Sequence, residues 1–169
     1  MVCVIGLTLD SVASIVHNLK RHEIDFNEPI PQFEECNLGR IASSLKTPFL
    51  RPLTSSDKKE RFCFRAAHLF CLLIENHCFP NGNKRIAVTS LVTFGDINGF
   101  DFSRLKEFEL YALAIAVTFL GKYELFNAAI SEVKQKLLDN VERKRGRQVP
   151  EGELKKLKKE FKEFMISRS

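Results

Sequence analysis

Two apolar runs with helical spacing occupy the middle of the chain and flank a short polar loop. From residue 62 to residue 74 only Arg65 and His68 interrupt the apolar residues, and a second apolar run begins at Ile86. A helix that is apolar on almost every side is stable only when other elements surround it. The sequence therefore predicts two buried central helices, and residues 77–85 would form a loop held by packed structure on both sides.

The remaining chain also has the pattern of helices. Apolar residues recur at helical spacing, and the Pro and Gly residues fall between the predicted segments. A stop is expected at Thr47-Pro48, because the residue before a proline disfavours helical backbone angles. Strand signals are weak, with short pairing conceivable only near Phe49 or Phe100–Phe102. The predicted fold class is all-α, with a connector over 21–36 and helices near residues 10–19, 38–46, 57–76, 86–98, 104–120, 123–140 and 154–165.

Charge divides the chain into two unequal parts. The net charge of +5 resides in residues 141–169, which hold ten basic and five acidic side chains, so residues 1–140 are balanced. We interpret residues 1–140 as one domain, large enough to bury its own core, and residues 141–169 as a basic C-terminal extension. An amphipathic helix is predicted there from Leu154, Leu157, Phe161 and Phe164/Met165. Since no basic patch is interleaved with aromatic residues, nucleic-acid binding is not expected.

The cysteine pattern and the hydropathy indicate a cytoplasmic protein. The five cysteines form no C-x-x-C pair and are odd in number, which is typical of reduced thiols. The N-terminus lacks the basic start of a signal peptide. No apolar run reaches the roughly 18–20 residues that a membrane span needs. His68 and Cys78 are interpreted as packing residues.

The polar loop contains the residue types that phosphate transfer needs. Asn81-Gly82-Asn83 is a turn sequence that leads into a helix, whose first N–H groups form an anion site. Lys84 and Arg85 add a compact charge and a bidentate fork within its first turn. At the other end of the loop stands His77, a side chain that can take up a proton near neutral pH. The loop is therefore a candidate site for moving a phosphate-bearing group to a hydroxyl.

This loop resembles the H-x-F-x-x-G-N-K-R motif of the Fic/Doc superfamily, with His77, Phe79 and the residues from Gly82 to Arg85 in the motif positions. Residues 38–49 are similar to the segment that precedes the family's target-docking flap, and residues 109–116 resemble a helix of Doc-type members. The resemblance covers roughly residues 5–138. It implies a compact all-helical domain that moves a phosphate-containing part of a nucleotide onto a hydroxyl of a target protein.

The resemblance also implies roles for individual residues. His77 would be the general base for the target hydroxyl. The phosphates of ATP would be bound by Gly82, Asn83, Lys84 and Arg85. A flap that docks the target by strand-like pairing would consist of Thr47, Pro48, Phe49, Leu50 and Arg51.

Three positions distinguish this chain within the family. AMP-transferring members usually have Gly in place of Lys84 and a second Arg in place of Val88, so both positions resemble Doc-type toxins, which implies phosphorylation. The family's usual Asp or Glu is replaced by Asn81. A carboxylate there would hold Mg²⁺, which prefers charged oxygen ligands. Asn81 is therefore a weak candidate ligand, although Mg²⁺ is expected as the companion of ATP.

Two other functions stay open. AMP transfer is the alternative within the same enzyme class, and a Fic-fold binding module that has lost productive metal binding is the non-catalytic one. The family's autoinhibitory helix matches poorly, because Arg147 stands at its Ser/Thr position before Glu151-Gly152. We therefore expect a separate antitoxin-like partner, as in a toxin–antitoxin pair.

Overall fold

The computed structural model describes residues 4–22 and 29–144, which form six α-helices and a two-stranded ribbon. None of the helices in these two ranges is long and apolar enough to cross a membrane. A 3₁₀ turn at Phe33–Glu35 precedes the second helix. The helices are α1 (Leu9–Arg21), α2 (Leu38–Leu50), α3 (Lys58–Glu75), α4 (Asn83–Asn98), α5 (Glu107–Gly121) and α6 (Phe126–Asn140).

The centre of the fold is α3, which packs against α2, α4, α5 and α6. Its side chains Phe62 and Phe70 are completely buried. The ring of Phe62 stacks on Phe100 and on Phe94, with centroids 4.1 and 5.3 Å away. Each buried ring contributes roughly 1.5–3 kcal/mol of hydrophobic stabilisation. The prediction of an all-α fold built around a buried central helix is confirmed.

The two-stranded ribbon joins the segment after α4 to the segment after α6. Its strands are β1 (Phe100–Asp101) and β2 (Glu142–Arg143), and they pair antiparallel. Of the two places where pairing was conceivable, Phe100 is thus in a strand and Phe49 is in a helix. Val141, the residue between α6 and β2, is fully buried. The predicted helix over residues 154–165 lies outside the described residues.

The predicted helix stop at Thr47-Pro48 is wrong, because α2 continues to Leu50. The hydroxyl of Thr47 donates to the backbone carbonyl one turn earlier, at 2.8 Å. Pro48 is buried, and the guanidinium of Arg65 stacks 4.3 Å from the centre of the Phe49 ring. These packing contacts outweigh the local preference of a pre-proline residue for extended backbone. Residues 47–50 therefore form the last turn of a helix and not an extended flap.

The four described cysteines are free and buried: Cys36, Cys63, Cys71 and Cys78. Burial raises the pKa of the Cys63 thiol and of the Cys71 thiol to about 12 each. Both thiols therefore stay protonated at neutral pH and pack as small apolar side chains. The interpretation of Cys78 as a packing residue is likewise confirmed by its complete burial.

Candidate active site

The loop between α3 and α4 places His77 in an unusual conformation. His77 has a φ of 44°, in the left-handed region, and its side chain is exposed. Helices often end with such a residue, but the position is normally Gly or Asn. Another residue type costs about 1–2 kcal/mol there. Backbone strain of this kind clusters at functional sites, and here it aims an imidazole into solvent at the mouth of a cleft.

Asn83 ties the two ends of the loop together. Its side-chain oxygen accepts from the backbone N–H of Phe79 at 3.1 Å, and its side-chain nitrogen donates to the carbonyl of Phe79 at 2.7 Å. Phe79 is almost completely buried. The aromatic residue of the motif thus inserts into the core, and Asn83 fixes the backbone on both sides of it.

Helix α2 holds the start of the loop through contacts that have no local sequence signal. The backbone N–H of Asn37 donates to the carbonyl of Cys78 at 3.0 Å, and Arg40 donates to the carbonyl of Asn76 at 3.1 Å. The side chain of Asn76 donates to the hydroxyl of Ser44 at 2.8 Å. Ser44 is fully buried and its oxygen also lies 3.4 Å from the sulfur of Cys78. Sequence reasoning missed these anchors, because they become neighbours only when α2 packs on α3.

A cleft of about 370 Å³ opens where the loop meets the N-terminus of α4. Gly82 precedes the first turn with a φ of 72°, and a Cβ atom there would come within 2.8 Å of Ile30. Only glycine fits this position without strain. The predicted base and phosphate-binding residues are brought together around this space. The cleft is lined by Ile74, Glu75, His77, Pro80, Asn81, Gly82, Asn83, Lys84, Arg85, Tyr111, Thr118, Gly121 and Lys122.

The charges around the cleft favour an anion. Lys84, Arg85 and Lys122 line it, against a single carboxylate, Glu75. The carboxylate lies against the backbone of Gly121, where a Cβ would collide with it. Burial raises the pKa of Glu75, and the nearby His77 lowers it. Sequence reasoning did not identify Glu75 or Lys122, since α5 reaches the cleft only through tertiary packing.

His77 also lines a second hollow, which has a volume of about 550 Å³. This hollow is polar and lies between the N-terminal half of α2 and the C-terminal end of α3. It shares His77 and Glu75 with the first cleft. Its lining consists of Asn37, Gly39, Arg40, Ser43, Glu75, Asn76 and His77.

The residues expected to form a flap do not line either hollow. The carbonyl of Pro48 accepts from Arg65 at 3.3 Å, so the end of α2 lies beside the middle of α3. With a rise of 1.5 Å per residue, Arg65 is roughly 18 Å along the helix axis from His77. The part of α2 that reaches His77 is its opposite end.

The residues of the cleft do not form a magnesium site of their own. Asn81 is exposed and neutral, and Glu75 is the one carboxylate of the cleft lining. Within the described ranges no three residues of the types His, Cys, Asp or Glu come together as a metal cluster. Mg²⁺ is usually held by carboxylates together with substrate phosphates. A neutral amide at position 81 gives the loop no carboxylate with which to hold the ion.

Comparison with known proteins gives one match. The model of the Fic/DOC family matches residues 10–94, which is slightly more than half of the 169 residues and includes the whole loop. No curated protein and no solved structure matches the chain.

Proposed function

Because the chain belongs to the Fic/Doc family, whose members are typically transferases of AMP or phosphate to proteins, we propose that it phosphorylates a hydroxyl side chain of a target protein with ATP. One observation carries the proposal. The exposed imidazole of His77 stands at the border of two hollows, one cationic and one polar. A base between a donor site and an acceptor site is the arrangement that group transfer requires.

The cationic cleft is the donor site of this proposal. The N-terminal N–H groups of α4 attract phosphate, and Lys84 and Arg85 lie in its first turn with partly buried side chains. Mg²⁺ would enter with the phosphates of ATP.

The polar hollow is the acceptor site of this proposal. A hydroxyl that enters beside His77 gives its proton to the imidazole as its oxygen attacks the γ-phosphorus. The bond from that phosphorus to the bridging oxygen breaks, and ADP leaves with the electron pair. Such a positioned base contributes roughly 10²–10⁴-fold to the rate. The proton on His77 then returns to solvent.

Phosphorylation is favoured over AMP transfer by two positions. Lys84 stands in the cradle itself, and its long cationic side chain changes the space for the phosphates. Val88 is nearly buried in the core, so the position that carries a second phosphate-binding Arg in AMP-transferring relatives supplies no guanidinium to the cleft. AMP transfer is the alternative outcome.

The test compares ATP labelled at the α-phosphate with ATP labelled at the γ-phosphate, incubated with the full chain and a bacterial lysate. Protein labelled only from the γ-position is expected, and none with His77→Gly. Label only from the α-position would establish AMP transfer instead. The mass added to the modified protein identifies the group independently.

A non-catalytic binding module is the second candidate, and Asn81 is the observation that favours it. In that case Asn81→Asp would create Mg²⁺-dependent transfer that the native chain lacks. Under the primary proposal the native chain already transfers phosphate, and Asn81→Asp changes only the concentration of Mg²⁺ needed. A magnesium titration of both proteins separates the two functions.

We also place the enzyme in the cytoplasm as the toxin of a toxin–antitoxin pair. Induced expression in a bacterial host is then expected to arrest growth, while His77→Gly does not. Co-expression of a cognate antitoxin would restore growth. Unimpaired growth with fully active protein would remove the toxin role but leave the transferase in place.

A further inference from the structure

Helix α5 has an apolar face that no described element covers. Its inner side packs into the core through Leu110, Leu113, Ala114 and Val117. Its outer side carries Phe108, Tyr111, Ile115 and Phe119, which are 68, 43, 50 and 58% exposed. We call these four residues the outer face of α5. Apolar patches of this kind mark contact surfaces, whereas scattered exposed residues do not.

The outer face has a counterpart in the sequence of the same chain. Its residues are spaced by three, four and four positions, and Leu154, Leu157, Phe161 and Met165 repeat that spacing. As helices, both stripes would be about 16 Å long. Two helical stripes of equal length and period can pack side by side along their whole length.

The chain leaves the described fold close to this face. The last described residue, Lys144, is fixed by its N–H on the carbonyl of Gly99 at 2.9 Å and by its ammonium on Asp96 at 2.7 Å. Just before it, Glu142 pairs with Arg104 at 2.6 Å, only a few residues before Phe108. Residues 145–153 can span up to roughly 30 Å when extended. That span is about twice the ~16 Å length of the outer face.

The charge within α5 itself is opposite to that of the predicted helix. Helix α5 contains Glu107 and Glu109 and no basic residue, while Lys106 and Lys122 stand directly before and after it and Lys136 pairs with Glu109 at 3.6 Å. Residues 154–165 contain five lysines against two glutamates. Opposite charges beside an apolar contact favour one partner over others.

We propose that residues 154–165 of this chain dock as a helix on the outer face of α5. The contact is intramolecular and does not depend on the proposed transferase activity. It covers Tyr111, which also lines the cationic cleft, so the lysine-rich segment comes to lie beside the phosphate site.

Disulfide cross-linking of the full chain tests the contact. Ile115→Cys with Phe161→Cys is expected to form a cross-link within one chain on mild oxidation, at a yield independent of protein concentration. The matched control pairs Phe161→Cys with Glu132→Cys, at an exposed position of α6. A yield no higher than that of the control overturns the proposal. Cross-links only between chains also overturn it and make the outer face an interface between copies.

Tyrosine fluorescence gives a second test without added cysteines. The chain has two tyrosines and no tryptophan. One is Tyr111 on the outer face, and the other, Tyr123, packs its ring 5.1 Å from Phe119. Quenching by acrylamide is expected to increase in Phe161→Lys, because the docked helix is released, and to stay unchanged in the tail control Ser167→Lys. Equal quenching in all three proteins would contradict docking.

Discussion

Helices α3 and α5 are each followed, within three residues, by a non-glycine residue with positive φ. These residues are His77, with a φ of 44°, and Glu124, with a φ of 58°. The backbone hydrogen bonds at the end of α5 are made within the turn itself. The N–H of Leu125 donates to the carbonyl of Leu120 at 3.1 Å, and that of Glu124 donates to Gly121 at 3.0 Å. This pair of bonds is the Schellman pattern. The turn at Glu124 thus needs no other part of the molecule.

The end of α3 depends on a second helix. Its own backbone supplies a bond from the N–H of Asn76 to the carbonyl of Leu72 at 3.0 Å and a longer one from the N–H of His77 to the carbonyl of Ile74 at 3.4 Å. Two side chains of α2 complete the hydrogen bonding of Asn76. Arg40 donates to its backbone carbonyl, and Ser44 accepts from its side-chain amide. The comparison shows that the same strained conformation can be a local turn or a supported site. Exposure at the border of a cleft and support from α2 are what distinguish His77.

The largest effect is expected at His77 itself. His77→Gly should reduce phosphate transfer by roughly 10²–10⁴-fold, because the general base is lost. The free energy of unfolding should stay the same or rise by about 1 kcal/mol, since glycine adopts this conformation without strain. Label transfer and urea unfolding measure the two quantities. Full activity in a folded variant would exclude His77 as the base.

Removing the support from α2 should have the next largest effect. Ser44→Ala removes the buried hydroxyl that accepts from the partly buried amide of Asn76, which costs roughly 0.5–1.5 kcal/mol of unfolding free energy. Transfer should slow while the affinity for ATP stays the same, because α4 is untouched. The control is Lys46→Ala, an exposed position on the same helix that lines neither hollow. If both variants behave alike in unfolding and transfer, α2 does not position the loop.

A smaller and opposite effect is expected at the other turn. Glu124→Gly should raise the free energy of unfolding by up to about 1 kcal/mol, because it relieves the left-handed strain. Transfer should be unchanged, since Glu124 does not line the cleft. Thermal and urea unfolding give the first quantity, and label transfer gives the second. A loss of transfer would show that this turn also supports the site.

The smallest effect concerns Glu75, the last residue of α3, which lies against the last turn of α5. Burial raises its pKa in the folded state above the ordinary value. The folded protein therefore binds this proton more tightly than the unfolded chain, and its stability falls as pH rises through the interval between the two pKa values. Glu75→Gln should be more stable than the native chain at pH 7. That advantage should disappear below the ordinary pKa of glutamate.

Urea unfolding of both proteins between pH 3 and pH 8 measures the difference. An advantage that grows as the pH falls would have the wrong sign and would show that the Glu75 carboxylate is stabilised by the fold.

Much of the fold and of the loop could be predicted because the signals are local. The apolar run of residues 62–74 required a buried helix, and Asn98-Gly99 required an end to α4, where Gly99 indeed has a φ of 73°. Gly82 and Asn83 marked the turn before α4. The end of α2 was predicted wrongly, since the preference of Thr47 before Pro48 is weaker than the packing of Phe49 under Arg65.

The sequence by itself determined the all-α class, the central helix and the order of His77, Gly82, Lys84 and Arg85, because spacing and backbone preference act between near neighbours. Tertiary structure decided which other residues join them. Ser44 and Asn76, or Glu75 and Gly121, are far apart in sequence and meet only when α2 and α5 pack on α3. The same packing placed residues 47–50 in the last turn of α2, beside the middle of α3, and brought the opposite end of α2 to His77.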